Sequence, residues 1–257
     1  VLLLVRITMQ STITGNWGIE LKGDELDLAA WKILLKQPFD PYVKEIFDER
    51  GDYLVLFSSN FEGMRGPSEV YSAAKPLLCT LNVAMAKNAD ADAVSCRAIV
   101  EFVHNSPPRK HHVLEALPAT LKIRPGIIQL AVTDANGNVI KSKLAPSRPQ
   151  EWMRAAALVP DIGAALRYLE GKPNWVELYK AYEALKPMPS GGLPEAEIKR
   201  FTQTANTAHR HHPNQKKKPH SCPMELWEAR TLITQWVSAA IEDVLLKNPL
   251  PPVSGPT

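Results

Sequence analysis

Three cysteines in 257 residues, Cys79, Cys96 and Cys222, are odd in number and too far apart for a disulfide framework. Cys79 and Cys96 are expected to behave as small buried hydrophobes. Long apolar runs are also missing. The opening VLLLV is far shorter than the roughly 20 residues that cross a bilayer, and no basic stretch precedes it as in a secretory leader. The expectation is a cytoplasmic protein with no membrane partner, with Met9 as the native start and residues 1–8 as a leader. Close glycine pairs are limited to Gly15 with Gly18, Gly63 with Gly66, and Gly191 with Gly192, so there is no G-x-G-x-x-G and no P-loop. The chain also lacks a G-x-S-x-G nucleophile elbow, an H-E-x-x-H zinc motif and any internal repeat. These absences remove the signatures of dinucleotide binding, P-loop phosphoryl transfer, α/β-hydrolase chemistry and zincin proteolysis.

What remains is a composition of 45% apolar and 22% charged residues, that of a soluble globular protein with enough chain for one large or two ordinary domains. Residues 9–146 carry strand and turn signals. Trp17, Ile19 and Leu21 alternate with Gly18, Glu20 and Lys22 ahead of the Gly23-Asp24 turn, which predicts a half-buried strand. A short helix is expected over 26–35, then a hairpin with strands at 43–47 and 53–57. The stretch from Ser68 to Lys87 predicts a helix with Val70, Ala74, Leu78 and Leu81 on its inner face and a kink at Pro76. Val94, Cys96, Ala98, Val100 and Phe102 alternate as a further strand, 105–110 reads as a loop, and a last hairpin is expected over 127–140 around Asn136-Gly137.

From Pro146 the period becomes 3.6. One stripe comprises Ile162, Ala165, Leu166 and Leu169; Asn174 with Glu177 forms a capping-box pattern ahead of Trp175, Leu178, Tyr179, Tyr182 and Leu185. Pro194 opens a helix with Ile198, Phe201, Ala205 and Ala208 inward, and the last helix spans 225–246. The expected fold is α+β: a mainly antiparallel sheet with one or two helices over 9–146, a four-helix bundle over 147–247, and a disordered tail over 248–257.

The most distinctive chemistry lies between the last two helices. Residues 209–220 hold His209, His211, His212 and His220, four of the seven histidines, with Arg210 and the run Lys216, Lys217 and Lys218, and no acidic residue follows until Glu225. Outside this stretch 26 Lys+Arg stand against 27 Asp+Glu, so the net charge of +3 is carried by one segment. It reads either as a solvated connector or as a contact for phosphate, nucleic acid or another anionic partner. His209, His211, His220 and Cys222 depart from zinc-finger spacing, and the intervening lysines would repel a dication, so no metal is expected and no cofactor. Arg97 and His104 match an Arg-x6-His ribonuclease pattern, but residues seven apart on a strand point to opposite faces.

Elements of the helical half, Trp175-x-x-Leu178-Tyr179-Lys180-x-Tyr182-Glu183, then Phe201-x-x-Thr204-Ala205-Asn206, Arg210-His211 and Pro223-Met224, resemble a group of uncharacterised bacterial proteins. The similarity covers about residues 150–247. A weaker resemblance is to HEPN-like abortive-infection domains, which place polar N…R-H residues late in a helical bundle; it implies an RNA-targeting ribonuclease acting through Asn206, Arg210 and His211. The pattern departs from that family because Arg200 and His209 are too widely spaced and Arg210 and His211 are adjacent, and Glu225 stands where Ser or Thr would cap the last helix. With Thr202, Asn206 and Arg210 at i, i+4 and i+8, and Glu183 on the neighbouring helix, the candidate is a polar pocket at the bundle end. It would bind an anion or partner, or fix the loop as a hydrogen-bond network.

Overall fold

The computed structural model describes residues 17–48, 51–103, 106–113, 145–206 and 221–250. The hairpin expected over 127–140, the basic segment 207–220, and residues 1–16 and 251–257 lie outside the described residues. The protein is α+β: a five-stranded antiparallel sheet followed by helices.

Strand β1 (Trp17–Lys22) is the middle of the sheet, with order β2-β3-β1-β4-β5, where β2 is Tyr42–Asp48, β3 Gly51–Phe57, β4 Ser95–Glu101 and β5 Arg109–His112. β1 meets the expected alternation, sending Trp17, Ile19 and Leu21 into one core. Its opposite face carries Gly18 and Glu20. A Cβ on Gly18 would lie 2.4 Å from Val55 Cγ1, so the close approach of β3 requires glycine there. Glu20 is buried and answered by Lys110 Nζ at 3.1 Å and Arg97 Nη1 at 3.5 Å. Lys110 also sits 3.2 Å from the Tyr53 ring centroid and 3.4 Å from Asp48, the arrangement expected of a cation removed from water. The Tyr53 hydroxyl is pushed up to about 12, first by burial and then by Asp48 and Glu20.

The strand expected over Val94 to Phe102 is present but not in simple alternation. Glu20 pairs with Ala98 whereas Leu21 pairs with Cys96, which makes Arg97 the extra residue of a β-bulge. The bulge reverses parity: Val94, Cys96 and Ile99 face one core, while Val100 packs on the other side with Tyr42, Val55 and Phe57. β5 begins at Arg109, inside the expected loop, because its pairing with β4 extends to Glu101.

Helix α1 (Glu25–Leu34) starts where the Asp24 carboxylate accepts the Leu26 amide, at 2.9 Å. Helix α2 (Pro67–Ala89) runs through Pro76 and buries Val70, Ala74, Leu78 and Leu81 against the sheet, as the sequence pattern predicts. Its Val83 and Ala84 belong instead to the core of the helical half, so α2 is shared by two cores. Cys96 is buried, but Cys79 on α2 is only half-buried, a difference from the expectation that follows from its place between the two packed faces.

The helical half has five described helices rather than the four expected: α3 (Arg148–Leu158), α4 (Pro160–Tyr168), α5 (Trp175–Leu185), α6 (Glu195–Thr204) and α7 (Leu226–Lys247). The unforeseen helix, α3, had a readable start. Ser147 and Gln150 form an S-x-x-Q capping box, with Pro149 in the first turn. Gln150 is buried, and its amide nitrogen reaches the carbonyls of Lys36, Phe39 and Pro41 at 2.8, 3.1 and 3.0 Å, stitching α3 to the chain between α1 and β2.

Candidate functional site

Phe201 on α6 is fully buried, and three aromatic rings pack around it. Its ring centroid lies 5.6 Å from Tyr182, 5.9 Å from Trp175 and 6.3 Å from Tyr179, and Tyr182 makes an edge contact with Trp236 of α7 at 5.6 Å. Each such pair contributes about 0.5–1.5 kcal/mol beyond burial. The α5 residues come from the helix that Asn174 starts, its side chain accepting the Val176 and Glu177 amides while Glu177 accepts from Asn174 N at 2.7 Å. The cluster therefore fixes α5, α6 and α7 to one another at the end from which the basic segment departs.

Arg200, one residue before Phe201, closes that end. Its guanidinium holds Glu228 through both nitrogens, at 2.9 and 3.2 Å, and Glu197 at 3.3 Å. It also donates to the carbonyls of Cys222 at 3.0 Å and Pro223 at 3.1 Å. This planar fork is suited to satisfying several acceptors at once. Thr204, buried, accepts the Met224 amide at 3.0 Å while donating to the Arg200 carbonyl at 2.9 Å. The chain leaving α6 and the chain entering α7 are thus tied together on both sides of residues 207–220. Glu228 in turn accepts from Glu225 N at 2.7 Å, one half of a capping box that supports the start of α7 without a Ser or Thr cap. That backbone bond, and then Arg200, hold the Glu228 carboxyl below its ordinary range.

Of the residues singled out in the sequence, Glu183 lies exposed on α5, and Asn206 is half-buried just past α6. Arg210, His211, Lys216, Lys217 and Lys218 lie outside the described residues, as does the convergence expected of Asn206, Arg210, His211 and Glu183. The continuous α-helix expected to Ala208 ends at Thr204 and passes into a π turn at Ala205 and Asn206. The wider turn at Ala205 and Asn206 departs from α-helical spacing, and Arg210, the i+8 position counted from Thr202, lies outside the described residues.

Sequence reasoning set Arg200 aside as too far from His209 and missed Trp227. Arg200 falls in no motif, and its partners lie 22 to 28 residues away. Trp227 is 67% exposed in the first turn of α7, three residues past Met224. Its signal was present, since it falls outside the apolar stripe of Leu226, Ala229, Ile233 and Trp236.

Among the described residues no three His, Cys, Asp or Glu side chains gather as metal ligands would. Burial, and then Glu170, push the Cys79 thiol up to about 12, which keeps it protonated and a poor nucleophile. No described helix is long and apolar enough to cross a membrane. The chain matches no family model, no curated protein and no solved structure.

Proposed function

We propose that this is a cytoplasmic, non-catalytic binding protein whose segment 209–220 docks on the phosphates of single-stranded nucleic acid, RNA foremost. The observation that carries the reading is the pairing of a clasped base with an exposed aromatic ring. Arg200 and Thr204 of α6 hold Cys222, Pro223 and Met224, just past the segment, and Trp227 is 67% exposed in the first turn of α7, next in the chain to Glu228. Arg210, Lys216, Lys217 and Lys218 supply positive charge with no acidic neighbour in the stretch. Cations beside a free aromatic face are the combination that binds single strands without reading sequence. Arg200 itself is occupied by Glu228 and Glu197, so its role is to position the segment.

The test is fluorescence anisotropy with a labelled oligouridylate at several salt concentrations. Four phosphate contacts predict a slope of log affinity against log salt of about −3, and Lys216→Ala/Lys217→Ala/Lys218→Ala should flatten it by about 2. Trp227→Ala should weaken binding by about 1–3 kcal/mol. A salt slope unchanged by the triple substitution overturns the reading. The same RNA is then run on a gel after incubation with EDTA. Intact RNA is expected; cleavage lost in Arg210→Ala/His211→Ala would replace binding with HEPN-like ribonuclease action through Asn206, Arg210 and His211.

A further inference from the structure

A cleft of about 560 Å³ opens where α2, α3 and α4 meet the chain between α1 and β2. That volume is in the range of small-molecule sites. Its apolar lining comes from Phe39, Leu77, Met153 and Leu250. Much of the rest is small: Ala73, Ala156 and Gly163 leave the space open.

The polar groups around it divide into two kinds. On one side, Asp40 accepts from Ser59 N at 2.9 Å and Ser59 Oγ at 2.8 Å, and Gln150 is committed to three carbonyls. These groups build the wall and have little left to offer a ligand. On the other side stand Arg154 of α3 and Arg167 of α4. Arg154 donates through Nη1 to the Asn248 carbonyl at 2.5 Å, but its Nε is buried with no hydrogen-bond partner among the described residues. Arg167 is exposed and makes no ion pair among the described residues. That Nε is sealed from the cleft, but Arg154 Nη2 has no hydrogen-bond partner among the described residues, and an anion entering the cleft would give it and Arg167 an acceptor. A second cleft of about 330 Å³ near the C-terminal end of α2 differs on this point, because its Arg230 already donates to the Pro173 carbonyl at 2.9 Å.

We infer that the larger cleft is a binding site for a small organic anion, a carboxylate or phosphate monoester carried on a short apolar body. Arg154 and Arg167 receive the anion, and Phe39, Leu77 and Met153 pack the body. The site is separate from segment 209–220 and does not depend on the nucleic-acid reading.

Isothermal titration calorimetry of the full chain with octanoate, octyl phosphate and octylammonium, each below its micelle concentration, tests it. Saturable binding of one or both anions with no binding of octylammonium is expected, and the stronger anion identifies the headgroup. Arg167→Glu should weaken binding roughly tenfold or more, the scale of one charge-assisted hydrogen bond. Ala157→Trp, at an exposed position on the cleft wall, should abolish it by occlusion. Both variants change exposed side chains, and unaltered circular dichroism and melting would show that each is folded. Absence of binding by either anion, equal binding of octylammonium, or wild-type affinity in folded Ala157→Trp would overturn the inference.

Discussion

Arg200 at the bundle end and Arg154 with Arg167 at the cleft use the same chemical group in opposite ways. The guanidinium of Arg200 reaches two carboxylates and two carbonyls, so its charge and its directional donors are used within the fold. Arg154 has one bonded terminal nitrogen and a second, Nη2, without a partner among the described residues, and Arg167 has no ion pair among them. The difference teaches how to read an arginine in an unfamiliar protein. A satisfied fork holds chain segments in place, while an unsatisfied one beside a cavity has capacity for a ligand.

The largest expected effect bears on the fixed side. Phe201→Ala removes the ring shared by Trp175, Tyr179 and Tyr182 and should cost about 3–5 kcal/mol in denaturant unfolding. A loss below about 1 kcal/mol would mean that the bundle end is not the rigid base described.

Gly191→Ala should follow, at about 1–3 kcal/mol. Gly191 has φ +64°, and a Cβ there would meet Ala239 Cβ of α7 at 2.1 Å, so the turn before α6 must shift away from α7. The same unfolding series measures it.

The clasp also has a pH signature. Glu228 has a folded pKa below its ordinary value, so its contribution to stability is fully present above the unfolded value of about 4.3 and is lost as pH falls through the folded value. Carboxyl NMR titration should find the Glu228 inflection below the ordinary range, and Arg200→Gln should move it upward. Amide exchange at Met224 should quicken in the same variant as the α6–α7 tie loosens. An unmoved inflection would show that Glu225 N alone holds the carboxylate.

The smallest effect belongs to the cleft. Arg167→Ala should change stability by no more than about 0.5 kcal/mol, as expected for an exposed side chain without a partner. A larger loss would show that Arg167 has a structural role, and would remove the contrast with Arg200.

The two arginine environments were not equally legible in the sequence. The polar pattern around Asn206 lies on α6 near Arg200, but it does not include Arg200, whose acceptors come from α7 and the segment before it. The cleft left no trace at all. Its walls come from five separated stretches, and neither Arg154 nor Arg167 belongs to a motif.

Local pattern determined much of the architecture. The period-2 run at Trp17–Lys22, the hairpin at Tyr42–Phe57, the capping box at Asn174 and the apolar stripe of α7 each form what their spacing specifies. Such signals act between residues a few positions apart, where backbone geometry alone decides which side chains share a face. Tertiary structure decided the rest. The bulge at Arg97 arises from pairing with β1, the sharing of α2 between two cores arises from the packing of α3 and α4 against it, and the role of Arg200 arises from which acceptors came within its reach. Those outcomes depend on contacts between residues far apart in the chain, and no local periodicity encodes them.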